Sequence, residues 1–181
     1  MLDYKTRNDM LRNTQPIKST GFSLTELLVT ISILGILTAV AIPSFQVWLQ
    51  NSQIKNAAES IQNGLQRARA EAVARNVNIE FTLGVNSSWT VHLVGSAVNI
   101  DSRASSEGSS NVTRSVLPVT ATTITFNNLG GIVTNADASA SFSQIILNSA
   151  TGTRPLRVTI GVGGNIRMCD PNAVIGSLQA C

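Results

Sequence analysis

From Leu27 to Phe45 the chain runs for 19 residues without a charge, and the next charged residue is Lys55. As a helix this run spans about 28 Å at 1.5 Å per residue, close to the roughly 30 Å hydrocarbon core of a bilayer. A segment of this kind constrains the whole chain. It must cross a membrane, be removed, or be covered by other subunits. The basic residues before it set its direction. Residues 1–21 carry Lys5, Arg7, Arg12 and Lys18 against Asp3 and Asp9. By the positive-inside bias that end stays in the cytoplasm, and the remainder is exported.

Beyond Pro43 the pattern stays helical but becomes one-sided. Ile54, Ala58, Ile61, Leu65, Ala68 and Ala72 recur at steps of three and four, forming one apolar stripe. Lys55, Glu59, Gln62, Gln66, Arg69 and Glu71 fall on other faces. This predicts a single long helix from about Ser23 to Arg75, with Pro43 as a helix bend. Its first half is apolar all round. Its second half is amphipathic and needs a surface to cover it.

After Asn76 the vocabulary changes to that of strands. Asn78–Leu83 and Ser88–Val94 read as a hairpin around residues 84–87. Residues 95–115, rich in Ser, Asn and Gly, read as a surface loop. Val116–Val119 and Thr122–Asn127 read as strands, with Gly130-Gly131 as a break. Ser141–Asn148 and Leu156–Val162 read as a second hairpin, followed by a short strand at Asn165–Cys169 and an irregular tail. The expected class is α+β: a long N-terminal helix packed on antiparallel β-sheets.

Composition removes most chemistry. Charged residues make up 13% of the chain, and His92 is the only histidine. With Cys169 and Cys181 as the only cysteines, a metal site or a nucleophilic triad has almost nothing to be built from. No cofactor, metal or catalytic residue is expected, and the chain does not read as an enzyme. His92, near Trp89, reads as an ordinary strand residue. In an exported segment Cys169 and Cys181 pair as a disulfide. Arg154, Arg157 and Arg167 can converge on adjacent C-terminal strands as a weak contact site for DNA or another anion. The simpler reading is three solvated arginines.

Three readings compete for the first 50 residues. A plain transmembrane anchor satisfies the apolar run. A secretory signal peptide is also consistent, because Ala39-Val40-Ala41 resembles a cleavage site that would release a soluble β protein beginning near Ile42. The third reading turns on Glu26. A carboxylate at the edge of an apolar span costs a few kcal/mol unless it is paired or near the interface. A free α-amine on Phe22, one helical turn away, would be a suitable partner.

Here the chain resembles a family. Lys18-Ser-Thr-Gly21-Phe22-Ser-Leu-Thr-Glu26-Leu-Leu-Val is similar to the processing junction of type IV prepilins and type II secretion pseudopilins. Pro43 lies where pilins commonly have a helix-bending proline. The layout of residues 22–171, ending in Gly-Asn-Ile-Arg-Met-Cys-Asp-Pro, resembles the GspH/FimT/FimU group of minor pilins and pseudopilins. The resemblance implies that prepilin peptidase cuts between Gly21 and Phe22 and methylates the Phe22 amine. It implies that Glu26 pairs with the N-terminal amine of a neighbouring subunit. Residues 1–21 would be the leader, 22–49 the transmembrane and assembly half of the helix, and 50–181 an extracytoplasmic head.

The resemblance further implies a minor pilin of a type IV pilus, placed at or near the tip to prime fibre assembly. It would sit first in the inner membrane and later in the periplasm and the extracellular pilus, among other major and minor pilins. A type II secretion pseudopilin has the same chemistry in another machine. Some FimT-type members bind DNA through a C-terminal Gly-Arg-x-Arg motif. Here the matching stretch is Gly164-Asn165-Ile166-Arg167, with Asn165 in place of the first arginine. DNA is therefore not a favoured partner.

Overall fold

The computed structural model describes residues 21–174 and 176–181. The leader expected over residues 1–21 falls outside the described residues, apart from Gly21. The chain divides into two compact units at Ala41/Ile42. A helix spans Leu24–Arg75, 52 residues, with Pro43 inside it. Pro43 has no N–H to donate within the helical ladder, which makes the helix intrinsically weakest there.

In the first unit the helix begins at a cap. The Glu26 N–H donates to Ser23 Oγ at 3.2 Å, satisfying one of the orphan donors of the first turn. Thr30, Ser32 and Thr38 each donate a hydroxyl to a carbonyl three or four residues earlier. Beyond Glu26 the helix of this unit therefore absorbs its own hydroxyls and presents hydrocarbon outward, the arrangement a lipid environment demands.

In the second unit the same helix buries one stripe. Ile54, Ala58, Ile61, Leu65, Ala68 and Ala72 are fully buried, as the spacing predicts, and Ala57, Ser60 and Gly64 are buried beside them. Most of the stripe is small, so the backbone comes close to the sheet beneath it. A Cβ on Gly64 would lie 2.9 Å from ring atoms of Phe81 and Trp89. These rings stack with centroids 5.6 Å apart, and Trp89 Nε1 donates to Ser60 Oγ at 2.8 Å. The buried indole N–H thus has a partner on the helix.

The helix ends in a Schellman arrangement. Asn76 takes a φ of 56°. Its N–H reaches the Val73 carbonyl, and the Val77 N–H reaches that of Ala72. In the last turns Glu71 accepts from Arg75 at 2.6 Å and lies 2.9 Å from Arg67. The hydrogen bond from Arg75 is the main reason its carboxyl stays below the usual carboxylate range.

Nine strands follow: β1 (Ile79–Leu83), β2 (Trp89–Leu93), β3 (Asn99–Arg103), β4 (Val112–Leu117), β5 (Thr123–Phe126), β6 (Ile132–Val133), β7 (Gln144–Ser149), β8 (Leu156–Ile160) and β9 (Ile166–Cys169). They form a five-stranded sheet, β3-β2-β1-β5-β6, and a four-stranded sheet, β4-β7-β8-β9. All neighbouring strands are antiparallel. One buried cluster joins the helix stripe to Phe81, Val91, Ile124 and Phe126 of the first sheet and to Val112, Ile145, Leu147 and Val158 of the second.

Two expectations need correction. Residues 95–115 are not simply a loop, because β3 and most of β4 lie in them. Both are edge strands; β3 is mainly polar and exposed, and in β4 Arg114 stands between Val112 and Val116 on the inward face, so neither shows the clean apolar alternation that marks a strand in sequence. The strand expected at Val116–Val119 instead ends at Leu117, before Pro118, which has no N–H for a ladder. The two-residue β6 is too short to leave a pattern.

Gly64 offers a direct test of the helix docking. Alanine gains about 1 kcal/mol of helix propensity over glycine. The methyl group, however, overpacks two aromatic rings, at a cost of about 1–3 kcal/mol. Gly64→Ala is expected to lower the stability of the head by about 1 kcal/mol and Gly64→Leu by several times more. Denaturant titration in detergent, followed by Trp89 emission, measures both.

Candidate assembly interface

Two regions hold the residues singled out in the sequence: the start of the helix and the C-terminal strands. At the start, Phe22 is 79% exposed. Among the described residues, nothing lies within 4 Å of where a Gly21 side chain would begin. Ser23 and Glu26 occupy the cap and third positions of the helix, the spacing of a capping box. Glu26 has no ion-pair partner among the described residues. The positive end of the helix dipole favours a carboxylate here, but by no more than about 1 kcal/mol at an exposed site. The group is thus tolerated in the free chain and still available to a stronger partner.

From this point the helix presents an unbroken apolar surface. Leu27, Ile31, Leu34, Leu37 and Val40 are each more than half exposed. In water such a surface would drive association. It is suited to lipid or to the helices of neighbouring subunits.

At the other end of the chain, Cys169 and Cys181 form a disulfide. Its effect is local. The tail after β9 folds back, with the Asp170 N–H donating to the Gln179 carbonyl at 2.7 Å and a bridge between Asp170 and Ala180. Arg167 donates to the Ala180 carbonyl at 2.9 Å. The tail therefore meets β9 where that edge strand ends, one way to blunt an open edge.

The three arginines do not form one site. Arg157 on β8 and Arg167 on β9 are diagonal neighbours on one sheet face, since Arg157 is opposite Cys169 and Thr159 opposite Arg167. Arg157 Nε is buried without a hydrogen-bond partner among the described residues, and Arg167 is engaged with the tail. Arg154 lies in the β7–β8 loop instead, where its N–H donates to Asn51 Oδ1 on the helix at 3.1 Å. His92 sits on β2 opposite Glu80, its Nε2 3.8 Å from Glu80 Oε1, an ordinary cross-strand pair.

The Gly164-Asn165-Ile166-Arg167 stretch forms the turn into β9. Gly164 has a φ of 75°, and a side chain there would run into the Gly130 carbonyl at 2.0 Å. The same carbonyl accepts from Arg69 Nε at 3.0 Å. This glycine thus lets the β8–β9 turn, the β5–β6 turn and the helix meet.

Sequence reasoning missed Arg114, which lay in the supposed loop. It shares the inward face of β4 with Val112 and Val116 and donates to the Gly84 carbonyl at 2.5 Å, linking the two sheets. Burial lowers its pKa.

A family model described as type II transport protein GspH matches residues 57–175, more than half of the chain. The chain belongs to the GspH family. A prokaryotic N-terminal methylation motif matches residues 17–42, across Gly21, Phe22 and Glu26. Among solved structures, the type IV minor pilin FimU of Pseudomonas aeruginosa shares 18% identity and a TM-score of 0.50, over 66% of this chain and 93% of that one. The minor pseudopilin EpsH of the Vibrio cholerae type 2 secretion system shares 14% identity and a TM-score of 0.48, over 67% of this chain and 99% of that one.

This GspH-family chain is thus a pilin or pseudopilin, in a family of structural subunits rather than enzymes. Family members are processed by prepilin peptidase and assemble with other pilins or pseudopilins. The methylation motif and the apolar helix mark a chain anchored in a membrane before assembly.

The disulfide closes a segment of 12 residues, a constraint of about 3 kcal/mol by chain entropy. Cys169→Ser is expected to release the tail and leave the core intact. Hydrogen exchange at Asp170 and Ala180 should accelerate strongly while amides of β1 and β5 keep their protection.

Proposed function

We propose that this protein is a minor pilin of a type IV pilus, cut after Gly21, methylated on Phe22 and incorporated at or near the tip to prime fibre assembly. The observation that carries the subunit reading is the unpaired Glu26 at the start of an exposed apolar helix. In a bundle of such helices the dielectric is low, and an unpaired carboxylate is expensive. Adding a subunit that brings a free amine to Glu26 removes that cost. Residues 1–21 are then the leader, 22–49 the assembly segment and 50–181 the head. The cytoplasmic placement of the N-terminus rests on the basic leader.

A pseudopilin of a type II secretion machine is the second reading, favoured by the description of the matching family. The two are separated by deleting the gene and scoring surface pili against secreted protein. Loss of pili with normal secretion supports the pilus; the reverse supports the secretion machine. DNA contact finds little support in the arginines. Arg154 is in a separate place, Arg167 is bonded to the tail, and three contacts would give a log-log salt slope of only about −3 on duplex DNA.

Two outcomes are expected. Intact mass and N-terminal sequencing of the mature protein should find methylated Phe22. A chain starting at Ile42 would instead restore the ordinary signal-peptide reading. Glu26→Ala should leave membrane insertion unchanged, since it removes a charge from the edge of an apolar span. It should reduce the protein recovered in sheared fibres about tenfold or more, the effect of losing an ion pair worth at least 1.4 kcal/mol in low dielectric.

A further inference from the structure

A groove of about 570 Å³ lies beside the helix in the second unit, between Trp48, Asn51, Lys55, Arg154, Met168 and Leu178. It is amphipathic. Trp48 is 62% exposed and stacks on Phe45, and Leu178 is fully exposed. The Lys55 side chain is 65% exposed, and its ion pair with Glu59 at 3.6 Å is a surface pair of little strength. Arg154 has no ion-pair partner among the described residues. The one acid in the lining, Asp170, accepts the Asn172 N–H.

The wall that carries Arg154 is held in place. Asn51 Oδ1 accepts the N–H groups of Thr153 and Arg154 at 2.9 and 3.1 Å, and its Nδ2 donates to Thr153 Oγ1 at 3.2 Å. Ser149 Oγ donates to Gln50 Oε1 at 2.9 Å at the base of the same loop. The loop is thus pinned to the helix through two successive residues, Gln50 and Asn51.

The position along the chain identifies the occupant. Trp48 lies three residues beyond the membrane-length run that ends at Phe45, where aromatic side chains favour the membrane–water interface. Lys55 is seven residues further on, about 10 Å along a helix. Helical side chains lean toward the N-terminus, so its ammonium reaches back toward that interface. Two cations over an apolar floor at headgroup level complement a phosphate attached to acyl chains.

We propose that this groove binds the headgroup of an anionic phospholipid in the leaflet adjoining the head, and so holds the subunit at the membrane surface before it enters a fibre. The proposal rests on membrane anchoring of the helix, and it applies equally to a pilus or a secretion machine. On entry to a fibre the lipid must be left behind. Each basic side chain near an anionic surface strengthens attraction about fivefold, weak enough to be reversed by assembly.

The test uses the full chain in lipid nanodiscs containing a minor fraction of phosphatidylglycerol in phosphatidylcholine. Bromine is carried either by the phosphatidylglycerol or by an equal mole fraction of the phosphatidylcholine. Quenching of Trp48 is obtained by difference from Trp48→Phe, which reports the buried Trp89. Severalfold stronger quenching by the brominated phosphatidylglycerol is expected, and Lys55→Gln with Arg154→Gln should equalise the two discs. Flotation with vesicles is measured alongside. A chain that floats but is quenched equally by both lipids overturns the groove alone. A phosphatidylglycerol excess that survives the double substitution also overturns it. A chain that floats with neither lipid overturns the membrane anchor and the groove together.

Discussion

The close contact between the small-residue stripe of the helix and the Phe81–Trp89 pair governs the head. Ala57, Ala58, Gly64, Ala68 and Ala72 bring the backbone near the sheet, and Ile54, Ile61 and Leu65 fill the spaces between them. Burying a side chain of that size is worth about 1.5–3 kcal/mol. Both sheets contribute to the same cluster, so neither has a complete core without the helix. The Ser60–Trp89 hydrogen bond fixes which turn of the helix meets which strand. A shift by one turn would leave the indole N–H buried without a partner, at a cost of about 1–3 kcal/mol.

One helix therefore meets two requirements along its length. Past residue 50 its small residues hold the head together. Before residue 42 it has no covering surface of its own among the described residues, and its hydroxyls turn back onto the helix carbonyls. Such a segment is at ease only in lipid or among similar helices. In the proposed assembly, the single carboxylate at its start is the point of control, since it distinguishes a neighbour that brings an amine from one that does not.

The C-terminal region deals with a different problem, the open edge of a sheet. Strand β9 ends at Cys169, and the tail returns to Asp170 through the disulfide and the Arg167–Ala180 bond. Gly164 lets the turn before β9 approach the Gly130 carbonyl, with Arg69 of the helix on the same oxygen. Through this carbonyl the two turns and the helix are tied at one point. The conformational freedom of the glycine serves packing here and needs no ligand to explain it.

Periodicity and charge placement alone determined the helix, its apolar first half and its buried stripe. These depend on local repeats of 3.6 residues and on a run without charge, which any stretch of chain displays by itself. The two hairpins and the class of fold were legible for the same reason. The edge strands β3 and β4 were not, because β3 is almost wholly polar and in β4 Arg114 interrupts the inward apolar face between Val112 and Val116. Nor could the sequence divide the three arginines. Register placed Arg157 and Arg167 on one sheet face, while a loop pinned by Asn51 carried Arg154 to the helix and Lys55. Gly64 and Arg114 likewise acquired their roles only from distant partners: the rings of Phe81 and Trp89 for one, the Gly84 carbonyl for the other. Contacts between residues far apart in the chain depend on which surfaces meet, and tertiary packing alone decides that.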